Sequence, residues 1–293
     1  MFFKACDGFV FEEVITLISY LNKDYFIFLM GKIVGVLSLK GGVGKTSSVI
    51  SIGSCLAALG KKVLLVDCNF SAPNLGLALN VIDPKRTLHH VLERDINIHE
   101  AIYSLDRFHL IPATIFKEPK INPLKLRDHL KSIKKKYDFI LLDSSPALND
   151  ETLAVMLASD ELLLVTTPDH VTLGTTLKAV QNARERGFKI IGLILNKVYN
   201  KKFELGIAEI ERTLDVPVLA VVPHDVEAVK SVSFFKPWAE RKPKSKGIIE
   251  YNKLAHVLVG QRYKENKIKN IIKRITPARQ EINREIFYTS VFS

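Results

Sequence analysis

The chain has 293 residues, of which 47% are hydrophobic and 25% charged, and a formal net charge of +11. That balance excludes intrinsic disorder and collagen-like repeats, and the length is enough for a full core without covalent staples. Three scattered cysteines, Cys6, Cys55 and Cys68, form no CxxC pair, so a disulfide framework or a structural zinc or iron–sulfur site has no ligands, and a reduced, cytoplasmic setting is the reading.

In chain order, residues 1–29 come first. The apolar stretch from Phe2 to Met30 is interrupted by Lys4, Asp7, Glu12, Glu13, Lys23 and Asp24. It falls short of the roughly 18 uninterrupted apolar residues of a membrane span and lacks the order of a signal peptide. Phe11, Val14, Ile15, Ile18 and Leu21 share helical spacing, which suggests a short amphipathic helix. The alternative is an extension outside the working chain, which would then begin at Met30.

From Lys32 onward, short apolar runs alternate with helical stretches. Strands are predicted at Ile33–Leu39, Val63–Val66, Phe108–Ile111, Phe139–Leu142, Leu162–Thr166, Ile190–Leu195 and Val218–Val222. Helices are predicted at Thr46–Leu59, Pro123–Lys136, Asp150–Ala158, Val171–Arg186 and Phe203–Leu214. The strands are near-continuous Val, Ile and Leu, as in strands buried on both faces. The expectation is an α/β fold, a doubly wound, mostly parallel sheet with helices on both faces, over residues 30–261. Residues 262–293 are read as a basic amphipathic tail.

The run from Lys40 through Gly41, Gly42, Val43, Gly44, Lys45, Thr46 and Ser47 follows the first strand and opens a helix. In that context a glycine-rich loop turns its backbone N–H groups toward phosphate oxygens, and the helix N-terminus adds to the attraction. Lys45 would reach the β- and γ-phosphates, and the Thr46 hydroxyl would ligate Mg²⁺. The usual GxxxxGK[ST] pattern fails at its first position, Leu39, and a lysine stands directly before the glycine pair. KGGVGKT resembles the deviant Walker A loop of the MinD/ParA family of P-loop ATPases. The resemblance implies that Lys40 crosses a nucleotide-sandwich dimer to the partner's phosphates, the logic of an arginine finger.

Further segments carry the same resemblance from about Gly31 to Gly260. Val63–Asp67 followed by Cys68-Asn69-Phe70-Ser71-Ala72-Pro73-Asn74-Leu75 resembles the family's switch I. The family has acid, any residue, acid here, and the second acid polarises the attacking water. This chain has Asp67 and Asn69, and Asn69 can hold a water but cannot take its proton. Slow hydrolysis is the expectation, with Asp150 and Glu151 the nearby carboxylates that would compensate. Phe139–Asp143 with Ser144-Ser145-Pro146 resembles Walker B and switch II, which implies that Asp143 holds Mg²⁺ through a water. Thr166-Thr167-Pro168-Asp169 resembles the T-x-P-[DE] segment. Asn196 stands where the family reads adenine, and Pro223-His224-Asp225 resembles the second base-contacting loop.

The positive charge is concentrated late in the chain. Residues 230–246 hold six bases against Glu240, and eight bases against three acids follow from Arg262. Ile268, Ile271, Ile272 and Ile275 fall at helical spacing among lysines. This resembles the family's membrane-targeting helix and implies weak binding of 264–275 to anionic lipid, strengthened by dimerisation. Non-specific DNA binding through basic patches is the other surface implied, with Phe234, Phe235 and Trp238 lying between the charges of 230–246.

Together these readings imply an ATP- and Mg²⁺-dependent dimerising switch. It would position division or chromosome machinery, peripheral to the inner face of the cell membrane or on DNA, with a protein partner stimulating hydrolysis. The alternative is an ATP-binding scaffold that Asn69 has silenced. A metal-cluster carrier would want a C-terminal cysteine pair, and no cysteine follows Cys68.

Overall fold

A computed structural model describes residues 31–116, 122–264 and 278–292. Among the described residues, eight strands form one sheet: β1 (Lys32–Leu37), β2 (Val63–Asp67), β3 (Tyr103–Ser104), β4 (His109–Ile111), β5 (Phe139–Asp143), β6 (Glu161–Thr166), β7 (Ile190–Val198) and β8 (Val218–Pro223). Their order is β3-β4-β2-β5-β1-β6-β7-β8. Every pairing is parallel except β3 with β4. The seven expected strands are present, and the two-residue β3 adds an antiparallel edge that its length hides in the sequence.

The strand residues alternate between two apolar layers, which is why the runs read as continuous hydrophobes. On one face Leu64, Val66, Ile140, Leu142, Leu164 and Leu195 pack against four helices. These are α4 (Pro123–Ile133), α5 (Asp150–Ala158), α6 (His170–Glu185) and α7 (Ile207–Leu214). On the other face Val34, Val36, Leu65, Leu141, Leu163 and Ile194 meet α1 (Lys45–Ala58) and α10 (Lys246–Leu258). Short helices α2 (Leu75–Ala78) and α3 (Leu88–Leu92) follow β2, while α8 (Val226–Ser233) and α9 (Trp238–Arg241) link β8 to α10. The helix expected from Phe203 starts at Ile207. Residues 199–204 are instead tied into a turn, with the Glu204 carboxylate accepting the N–H groups of Tyr199 and Lys201.

A final helix, α11 (Arg279–Phe292), covers the open edge of β8. Asn283 donates to Val218 O and Arg284 to Leu219 O, each at 2.8 Å, so side chains satisfy edge carbonyls that a ninth strand would otherwise pair. Arg284 and Lys253 are buried and share Glu250. The expected tail of 262–293 therefore contains a helix docked on the domain. Residues 265–277, with the isoleucine stripe, and the extension 1–29 lie outside the described residues. No helix among the described residues is long and apolar enough to cross a membrane.

The strands' carboxyl ends share one rim of the sheet. On that rim stand the loop after β1, Asp67, Asp143, Thr166-Thr167, Asn196 and Pro223. Open α/β sheets bind ligands in the crevice outside these ends.

Candidate active site

The loop between β1 and α1 is shaped by two glycines with left-handed backbone, Gly42 (φ 78°) and Gly44 (φ 93°). A β-carbon on Gly44 would lie 2.3 Å from the Asn196 amide nitrogen, so only glycine fits. The buried Val43 side chain anchors the loop from below. Its carbonyl accepts a hydrogen bond from Asn196 Nδ2 at 2.8 Å, and the Gly42 carbonyl accepts one from Lys197 Nζ at 2.6 Å. Lys197 itself is left-handed (φ 56°), at an irregularity in the pairing of β7 with β8. Such a break in a strand's end re-aims its side chains. Helix α1 has Gly44 at its N-cap, with no side-chain cap and no acid in its first turn. Its first N–H groups are therefore open to an anion.

Beneath the loop, Lys45 Nζ lies 2.6 Å from Asp143 Oδ1 and also donates to the Ser144 carbonyl. The Thr46 hydroxyl donates to Asp143 Oδ2 at 2.6 Å. A hydroxyl and a carboxylate meeting at a helix N-terminus are hard oxygen donors of the kind a small divalent cation takes beside a phosphate. Ser47 stands one residue further along α1, on the cleft wall.

Asp67 is wholly buried, and its carboxylate accepts the N–H groups of Asn69 (3.2 Å) and Leu75 (3.0 Å). It thus closes the ends of the segment 69–75 together. Burial, reinforced by the charge of Asp143, pushes the Asp67 carboxyl up to about 7. Asn69 is buried in the cleft wall; its Nδ2 donates to the Ala72 carbonyl, while its Oδ1 accepts no hydrogen bond among the described residues. Of the two acids expected near Asn69, Glu151 is buried and its Oε1 accepts the backbone N–H (2.9 Å) and the hydroxyl of Ser71. Asp150 is exposed in the first turn of α5.

Lys40 sits at the lip of the loop. Its ammonium donates to Thr172 Oγ1 at 2.7 Å and lies 3.4 Å from Asp169 Oδ1. Asp169 caps α6 by accepting the Thr172 N–H at 2.9 Å. Burial works against the Asp169 charge, but hydrogen bonds from Thr167 and Thr172 and the nearby Lys40 outweigh it and hold the carboxyl down at about 2. The Lys40 side chain remains 38% exposed.

A cleft of about 660 Å³ runs from Lys40–Ser47 past Asn69 to Asn196, Pro223 and Asp225. Asp225 caps α8 through the Glu227 N–H, and His224 stacks on Tyr199 at 4.5 Å. The structure thus brings the sequence-predicted residues to one rim, with Asp67 and Asp143 buried beneath it. Sequence reasoning missed Lys197, the Glu151–Ser71 bridge and the far cleft wall of Val229, Val232 and Phe235. Ser71 lies in the segment that resembles switch I and Glu151 is one of the acids expected near Asn69, but their contact, like the other two features, is placed by tertiary structure.

A family model described as an AAA domain matches residues 31–190. An uncharacterized ATP-binding protein of Methanocaldococcus jannaschii is 32% identical over 84% of this chain and 97% of its own length. The sporulation initiation inhibitor protein Soj of Bacillus subtilis is 30% identical over 77% of this chain and 97% of its own. Among solved structures, the cell division ATPase MinD of Pyrococcus furiosus superposes with a TM-score of 0.73 at 35% identity, covering 78% of this chain and 98% of that one. The septum site-determining protein MinD of Pyrococcus horikoshii, solved with Mg-ADP, gives 0.74 at 34% identity over 83% and 98%. With the phosphate loop, the order of the rim segments and these similarities in agreement, the chain belongs to the MinD/ParA family of P-loop ATPases.

Proposed function

We propose that the protein is an ATP-dependent dimerising switch that hydrolyses ATP slowly. It would engage an anionic membrane or DNA surface reversibly and position division or partitioning machinery, with a further protein stimulating turnover. The observation that carries this reading is the state of Lys40: half-exposed at the mouth of the cleft and held by contacts to Asp169 and Thr172. An exposed ion pair is worth about 1 kcal/mol or less, so Lys40 can leave Asp169 for a stronger anion such as a partner's phosphate. The Mg-ADP complex of the P. horikoshii relative supports the nucleotide and the ion.

In this reading the N–H groups of residues 41–47 hold the phosphates. Lys45 would swing from Asp143 to the β- and γ-phosphates, leaving Asp143 and Thr46 as oxygen donors. Mg²⁺, when bound there, would neutralise phosphate charge. Asn196, Pro223 and Asp225 would contact the adenine end. Asn69 presents its unpartnered Oδ1 to orient a water, and a largely dissociative phosphoryl transfer asks little of a base.

The silenced scaffold remains the second reading, favoured by Asn69 itself, an amide where a carboxylate would take the water's proton. Steady-state ATP turnover of the full chain, alone, with anionic liposomes and with duplex DNA, separates the two, with Lys45→Ala as the blank. Turnover above the blank that one surface stimulates is expected. Turnover equal to the blank in all conditions, with ATP still bound, would replace the switch with the scaffold.

A further inference from the structure

Helix α8 ends in a closure usually built on glycine. The Phe235 N–H donates to the Val232 carbonyl (3.1 Å) and the Lys236 N–H to the Ser231 carbonyl (3.0 Å). These paired bonds finish a helix when the residue beyond its cap turns left-handed. Here that residue is Phe235, at φ 51°. Glycine takes this backbone freely, whereas a bulky side chain is strained in it. The turn itself does not ask for an aromatic ring, since Pro237 already directs the chain away from the helix.

Nor does burial account for the ring, because Phe235 is 47% exposed. Its neighbours have other partners: Arg241 lies 4.4 Å above the Phe234 ring, and Trp238 is buried against Tyr251. Trp238 also borders the cleft but is buried, whereas the half-exposed Phe235 lines it with Val229 and Val232, the same cleft that holds Asn196 and Pro223. Strained backbone at a bulky residue persists where the surroundings or a ligand make use of it.

We propose that Phe235 is the aromatic wall of the nucleoside end of the cleft. Its ring stacks on the bound base and favours the larger π-face of a purine over a pyrimidine. This inference rests on the ATP reading above and adds a base-selecting residue that no motif contains. Stacking of a base on an aromatic side chain is sensitive to loss of the ring and tolerant of a change between aromatic rings.

The test is the affinity of the full chain for ATP and for CTP, measured by calorimetry beside each protein's melting temperature. Phe235→Gly and Phe235→Asn both suit a left-handed backbone and remove the ring. Both are expected to bind ATP about tenfold more weakly, to lose ATP-over-CTP preference, and to melt no more than about 2 °C below wild type. Phe235→Tyr is expected to keep affinity and preference. ATP affinity within twofold of wild type in both ring-less variants would overturn the proposal, whether or not they melt earlier. A wild-type chain that binds neither nucleotide would overturn the ATP reading and this inference with it.

Discussion

Asp67 and Asp143 are register partners on adjacent parallel strands, both fully buried, and the Lys45 ammonium bonds only one of them directly, Asp143 at 2.6 Å. Burial first, and then the neighbouring Asp143 charge, push the Asp67 carboxyl up to about 7 from 3.8, against the smaller opposing pull of Lys45.

This predicts a pH dependence of stability. A carboxyl that binds its proton more tightly in the fold than in the unfolded chain stabilises the fold fully below the unfolded value. That contribution is lost as pH rises through the folded one. Between pH 5 and pH 8, wild type should lose about 3 kcal/mol relative to Asp67→Asn, with the loss levelling off near pH 8. Urea unfolding of both proteins across this range is the measurement, and a pH-independent difference would contradict the burial argument.

The Asn69 side chain predicts a gain of function. Asn69→Asp places a carboxylate on the cleft wall where the resemblance expects one. A positioned base contributes about 10²-fold or more where the transition state uses it. A rise in kcat of about tenfold, with KM for ATP unchanged, is expected for a largely dissociative reaction. A kcat unchanged by the substitution would mean that Asn69 does not limit turnover.

The edge of the sheet gives a stability prediction. Arg284 is buried, donates to Leu219 O at 2.8 Å and pairs with Glu250 at 3.1 Å. Arg284→Ala leaves that carbonyl without its donor and reduces the charge balance around Glu250. A loss of about 3 kcal/mol in urea unfolding is expected, since breaking a buried pair by removing one partner is costly. A loss below about 1 kcal/mol would show that α11 is only loosely docked.

Much of the fold was legible because the parallel strands are buried on both faces and advertise themselves as runs of Val, Ile and Leu. The phosphate loop was legible because its glycines and lysine must occur at fixed spacing. The strand β3 was not, since two residues carry no periodicity. The docking of α11 was not either: what holds it is Arg284 and Asn283 reaching β8 carbonyls, contacts that no local pattern encodes. At the site, Lys45 and Asp143 are 98 positions apart and meet because β1 and β5 are neighbours. The three aromatics of 234–238 read alike in sequence, yet Phe234 lies under Arg241, Phe235 lines the cleft half-exposed, and Trp238 borders it from a buried position.

Lys40 is proposed to act across a dimer and not within its own subunit. Sedimentation velocity of wild type and Lys40→Ala with Mg²⁺ and ATP, beside calorimetric ATP affinity, tests it most directly. Wild type is expected to shift from monomer to dimer on adding ATP. Lys40→Ala should bind ATP within about twofold of wild type yet stay monomeric, because a group that acts only on the partner's nucleotide adds little to binding in its own subunit. A Lys40→Ala protein that dimerises with ATP as wild type does would remove Lys40 from any role across the dimer.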